Sequence, residues 1–171
     1  ALAGGQFAGR GGHRGNRDRA LRTWKVAPGR LTIEIHESAL VTGLAELKEM
    51  LPRLKALGLR LAIDGFGTAS SSLSNLAQLP LDEAKIGATF VGDLRQSAFH
   101  AKLVRSLANL AHDLGLVVTA DGVEDADTAL ALSTLGCERV QGASVGRPLS
   151  AAEVVACKQL ASARPVTLPL E

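Results

Sequence analysis

Five short segments carry the residues that could do chemistry. They are Ile33-Glu34-Ile35-His36-Glu37, Ile63-Asp64-Gly65-Phe66-Gly67-Thr68, Glu83-Ala84-Lys85-Ile86, Thr119-Ala120-Asp121-Gly122-Val123-Glu124 and Val140-Gln141-Gly142. Four of them read as a short apolar strand with an acid, amide or lysine at or just past its C-terminal end. Segment 83–86 instead begins with an acid and carries its lysine inside. Strand alternation puts Glu34 opposite Ile33 and Ile35, and Asp64 follows an apolar strand. Acids on adjacent strand ends can share a hard divalent cation, magnesium or manganese. Either acid alone reads better as a helix cap or a loop salt bridge. Lys85, Asp121, Glu124 and Gln141 at other strand ends shift the balance toward a shared site. Lys85 lies in an otherwise apolar strand, so it must reach solvent or meet an anion, where it could steer a phosphate or orient water. The small-residue turn Phe66, Gly67, Thr68, Ala69, Ser70, Ser71 leads into a helix. Its backbone N–H groups could receive a phosphate; the structural alternative is an N-cap by Ser70 or Ser71. His13, His36, His100 and His112 have no ligand spacing and read as surface or capping residues. Cys137 and Cys157 lack zinc or disulfide spacing, and Cys137, after Leu135-Gly136, reads as a small buried filler.

The elements that must position these groups follow from periodicity. Strand candidates are 31–35, 59–63, 83–86, 116–120 and 138–141. Between them run apolar residues at helical spacing. Leu44, Leu47, Leu51 and Leu54 form one stripe, closed by Gly58, with Pro52 expected to kink it or to mark a fresh start. Leu73, Leu76 and Leu79 form a second, ending at Pro80. Leu103, Leu107, Leu110 and Leu114 form a third, closed by Gly115. Asp125 can cap the helix carrying Leu130, Leu132 and Leu135, which Gly136 ends. Ser150 to Glu153 fits a capping box opening a last helix, which Pro165 and Pro169 cannot extend. Strands alternating with helices at this spacing imply βαβ units and a parallel sheet of five strands. Strand ends of a parallel barrel open on one face, where chemistry gathers.

Of 171 residues, 46% are apolar and 3% aromatic, so Leu, Ala and Val must fill the core of one domain. A full eightfold β/α barrel takes about 250 residues. Net charge is +2, yet residues 1–30 hold seven basic groups against one acid, leaving 12 basic and 16 acidic residues for the rest. Six glycines fall within residues 1–16, and ordering such a stretch costs much entropy for little burial. The expected organisation is a disordered Gly/Arg-rich head over 1–19, a domain over 20–162 and a tail over 163–171. The head could touch RNA or anionic lipid, but without interleaved aromatics it reads as solvated, and no nucleic-acid partner is expected. No apolar run reaches membrane-span length, no signal-peptide core opens the chain, and free thiols suit the cytoplasm.

The order of these motifs resembles a known family. Residues 31–150 are similar to the C-terminal part of EAL domains, bacterial phosphodiesterases of cyclic di-GMP. That family's text runs close to LEITES, DDFGTG, SSL, ELKID, AEGVE, VQG and GRPL. This chain reads IEIHES, IDGFGTAS, SSLSNLAQLP, DEAKIGATFV, ADGVE, VQG and GRPL in the same order. The resemblance implies a TIM-type (β/α) barrel, here its C-terminal five or so units. It implies metal ligands at Glu34, Asp64 and Asp121, catalytic roles for Lys85 and Glu124, and Glu37 anchoring the loop after the ELKID-like strand. Substrate contacts fall on Phe66, Gly67, Thr68, Gln141, Gly142, Arg147 and Pro148. In the family two cations, magnesium or manganese, help water open one phosphodiester bond to give linear pGpG.

Departures from the family text shape the expectation. The signature Glu-Ala-Leu has no counterpart here, nor does the Asn of the next strand. Gly65 stands where the second Asp of DDFG would be, Gly87 replaces the Asp of ELKID, and Asp121 is a shortened AEGVE glutamate. Two divalent cations about 4 Å apart repel and need several carboxylates. The favoured reading is therefore a catalytically impaired EAL module that binds cyclic di-GMP or a protein partner. An active phosphodiesterase completed by other chain segments is the second reading, and a non-functional structural fragment is the third. Five strands of a barrel leave two sheet edges, so a homo-oligomer or a partner covering them is expected.

Overall fold

The computed structural model describes residues 27–69, 72–150 and 152–153. The head, the tail, Ser70, Ser71, His13, Cys157 and most of the segment expected to form a last helix lie outside them. A short 3₁₀ turn, Pro28–Arg30, opens the described region. Then come β1 (Thr32–His36), α1 (Ala39–Ala56), β2 (Arg60–Asp64), α2 (Leu73–Leu76), β3 (Glu83–Ile86), α3 (Ala88–Val91), α4 (Ala98–Asp113), β4 (Val117–Asp121), α5 (Ala126–Thr134) and β5 (Arg139–Gln141). All five expected strands are present. They form one parallel sheet in the order β1-β2-β3-β4-β5.

The register sorts the side chains. Glu34 lies beside Ala62, Ala62 beside Glu83, Lys85 beside Thr119, and Thr119 beside Arg139. With a period of two, Thr32, Glu34, Asp64, Glu83, Lys85, Thr119, Asp121, Arg139 and Gln141 share one face. Ile35, Leu61, Ile63, Ala84, Ile86, Val118 and Ala120 share the other and join the core cluster with Leu40, Leu47, Leu51 and Leu54 of α1, Val104, Ala108 and Ala111 of α4 and Leu132 of α5. One face of the sheet is thus an apolar floor for helices and the other a polar wall.

The leucine stripes locate the helices but not always their buried faces. In α4 the fully buried residues are Val104, Ala108 and Ala111, while Leu107, Leu110 and Leu114 are partly buried flanks. Small side chains let this helix approach the sheet closely, and the leucines seal its sides. Leu73 and Leu130 point to solvent. The break in α1 falls at Gly43, with φ −131° and ψ 25°, whereas the backbone stays helical through Pro52. Gly, not Pro, therefore supplies the discontinuity that the sequence led one to expect at Pro52. Gly58 and Gly115 take φ of +82° and +76° just past their helices, as helix-ending residues should. Asp125 caps α5 by accepting from Thr128 N at 2.7 Å, and Ser150 and Glu153 form the reciprocal capping contacts.

One device recurs at the N-terminal ends of the strands. Asp82, just before β3, accepts from the Leu61 N–H of β2 at 2.8 Å and pairs with Lys55 near the end of α1. Glu138, just before β5, accepts from the Val118 N–H of β4 at 2.8 Å and pairs with His112 near the end of α4 at 2.8 Å. Each carboxylate ties a strand to its predecessor and to the helix that leads into that predecessor.

Candidate functional site

Lys85 is the centre of the polar wall. Its side chain is only 4% exposed, and its Nζ stands 3.0 Å from Glu34 Oε2 and 4.0 Å from Asp121 Oδ2. β1, β3 and β4 deliver these three groups because the parallel register puts them on one face. A buried ammonium is costly unless paired, and the two flanking carboxylates, still partly hydrated, meet that need. Asp64 lies on the same face, its Cα partner across the ladder being Lys85. Asp121 Oδ1 also accepts from the Gly122 N–H at 2.8 Å. The expected convergence of Glu34, Asp64, Lys85 and Asp121 is therefore present as a shared face. Among the described residues, however, no group of three or more His, Cys, Asp or Glu side chains is placed to hold a metal ion.

The turn after β2 departs from expectation. The N–H groups of Gly67, Thr68 and Ala69 all donate to Glu37 Oε2 at 3.0 Å. The anion these amides receive is the chain's own carboxylate, so they do not form an open phosphate cradle. Glu37 is 2% exposed and holds the loop after β2; the resemblance assigned it the loop after β3. Phe66 is 1% exposed in the core, out of reach of a substrate. Gly67 seats against Leu107, where an added Cβ would lie 2.7 Å from a leucine methyl. Thr68 donates its hydroxyl to Gly65 O at 2.6 Å. These three residues build the rim.

The remaining candidates are dispersed. Gln141 lines a cavity with Glu34, Glu83 and Arg139. Gly142 lies against the backbone of Val123, with φ +148° and an ideal Cβ 2.3 Å from Val123 O. Glu124 is exposed and makes no ion pair or side-chain hydrogen bond among the described residues. Arg147 and Pro148 sit at the surface, Arg147 paired with Glu153. Cys137 is buried as expected, and burial, then the neighbouring Glu138, pushes its thiol up to about 11.

Sequence reasoning missed a second polar cluster. Glu83 is buried and accepts from Thr119 Oγ1 at 2.6 Å and Arg139 Nη1 at 2.7 Å, with Arg60 at 3.6 Å. The available signal was the two-residue offset between Glu83 and Lys85, which puts both on one face of β3. Asp82 and Glu138 were likewise unflagged. For Asp82, burial pushes the carboxyl up, but the Lys55 contact, the Leu61 N–H and Arg60 together hold it below its ordinary value. For Glu138, burial is likewise outweighed by the Val118 N–H and then by His112.

The family model described as EAL domain matches residues 16–148. The cyclic di-GMP phosphodiesterase NbdA of Pseudomonas aeruginosa PAO1 is 38% identical over 130 residues, covering 76% of this chain and 17% of that protein. Among solved structures, the PaMucR phosphodiesterase in complex with c-di-GMP superposes with a TM-score of 0.76 at 34% identity, covering 83% of this chain and 59% of that one. BlrP1 of Klebsiella pneumoniae, in a complex with manganese and cyclic di-GMP, superposes with a TM-score of 0.72 at 31% identity, covering 78% of this chain and 34% of that one. The chain spans no more than about a fifth of the length of the curated relatives it matches.

Proposed function

This chain belongs to the EAL domain family, and from that premise we propose that it serves cyclic di-GMP signalling with hydrolysis impaired, binding the nucleotide or a protein partner. Its parallel strands and helices are part of the family's TIM-type (β/α) barrel. The observation that carries the reading is the ion-paired centre: Lys85 already answers Glu34 and Asp121. Gly65 and Gly87 stand where the family text carries acids. A manganese complex is known for the similar BlrP1, so the donor set here can be weighed against a divalent pair. It does not fit one, since no three ligating side chains come together among the described residues.

In this reading Lys85 and Gln141 supply positive charge and an amide to a bound phosphodiester, and Glu34 and Asp121 remain paired with Lys85. Glu37 stiffens the rim beside them. β1 and β5 have no further strand partner among the described residues. Open edges of this kind favour pairing with another copy or another protein, and we include self-association in the proposal. Calorimetric titration with cyclic di-GMP, with and without magnesium or manganese, combined with chromatography for pGpG, tests it. Binding without product is the expected result. Product formation at the rate of an intact family member would establish the alternative, an active phosphodiesterase.

A further inference from the structure

The opposite end of the polar wall carries Arg30, Thr32, Glu83 and Arg139, groups that the reading above leaves unused. A cavity of about 310 Å³ opens there; Leu31 is its one apolar lining residue, the others being Arg30, Thr32, Glu34, Glu83, Arg139 and Gln141. Arg30 and Arg139 stand just before β1 and at the start of β5, whereas Asp64 and Asp121 close β2 and β4. The cavity mouth and the acidic rim are therefore at opposite strand ends.

Both acids in the lining are already answered. Glu34 is 3.0 Å from Lys85 Nζ. Glu83 has Arg139 at 2.7 Å, Arg60 at 3.6 Å and the Thr119 hydroxyl at 2.6 Å. The Arg30 guanidinium, in contrast, makes no ion pair or hydrogen bond among the described residues. What remains for a ligand is chiefly donors: the whole Arg30 fork, the rest of the Arg139 fork, the Thr32 hydroxyl and the Gln141 amide. Guanidinium forks match the paired oxygens of a phosphate. A largely polar lining of this size suits a small, highly hydroxylated ligand at the lower end of small-molecule pockets.

We propose that this cavity binds a small phosphate monoester of the sugar-phosphate class, with Arg30 and Arg139 on the phosphate. The cavity shares Glu34 and Gln141 with the nucleotide site, but its phosphate contacts, Arg30 and Arg139, take no part in that site. Titration calorimetry of the whole chain at low ionic strength, with inorganic phosphate and then ribose 5-phosphate as probes, tests it. Saturable binding weakened by added sodium chloride is expected. Arg30→Ala should weaken it at least about tenfold, since it removes one partner of a charged hydrogen-bonding pair. Arg30→Lys should recover part of the loss. Thr32→Val, which removes a donor without a charge, should weaken it several-fold. Arg30 has no side-chain partner among the described residues, so far-UV circular dichroism and cyclic di-GMP affinity should not change in Arg30→Ala. Absence of saturable binding to either probe, or equal affinity in the native chain and Arg30→Ala, would overturn the proposal.

Discussion

Lys85 decides the character of the site. Replacing it with Met removes the cation that Glu34 and Asp121 share and leaves two neighbouring carboxylates. Lys85→Met is expected to cost about 1–3 kcal/mol, as read from urea denaturation. No measurable loss would mean that the pairing contributes nothing to stability. Gly87→Asp tests the missing acid. Gly87 has φ −72°, and an added Cβ would meet nothing nearer than Gly65 Cα at 3.9 Å. The variant should fold normally and bind manganese more tightly in a titration followed by electron paramagnetic resonance; unchanged affinity would remove Gly87 from the argument. The sequence made Glu34, Asp64, Lys85 and Asp121 legible because each sits at a fixed offset on a short apolar strand. It left Glu83 obscure because a strand-opening acid looks like a solvated end until Arg139, 56 residues away in sequence, is folded against it. The amide turn misled for a related reason: a nest of N–H groups looks the same whether the anion comes from outside or, as here, from Glu37.

At the scale of elements, the chain is pinned at both strand ends. At the C-terminal rim, Gly142 lies against Val123 with a φ that side chains avoid. Gly142→Ala should therefore cost at least about 2 kcal/mol and lower the thermal midpoint; a neutral result would mean that the β5 turn relaxes freely. At the other end Asp82 and Glu138 each tie a strand to its neighbour, β3 to β2 and β5 to β4. Both carboxyls lie below their ordinary values of about 4, so they bind protons more weakly folded than unfolded. Their contribution is full above the unfolded value and is lost as pH falls through the folded one. Denaturation midpoints should hold steady from pH 7 to 5 and drop below about pH 4, and Asp82→Asn should flatten the drop. Strand positions were readable from apolar runs, and helix ends from Gly58, Gly115 and Gly136. The buried face of α4 was not, because leucine periodicity marks where bulk sits, whereas close helix–sheet approach selects Val104, Ala108 and Ala111. The discontinuity in α1 was read at Pro52 and lies at Gly43, since proline kinks a helix only if its neighbours yield, while glycine bends at little cost.

For the whole molecule, the polar wall is the unusual feature. Parallel sheets are ordinarily covered on both faces, and here helices cover one while the other carries charge. That arrangement, with the motif order, made the barrel family legible from sequence. The balance of ligands was legible only as a deficit, and the geometry turns it into an ion-paired centre. The most direct measurement follows cyclic di-GMP over time with purified chain in manganese while its binding is recorded calorimetrically. The account predicts saturable binding with the nucleotide recovered intact. Steady conversion to pGpG at the rate of a complete EAL enzyme would contradict it.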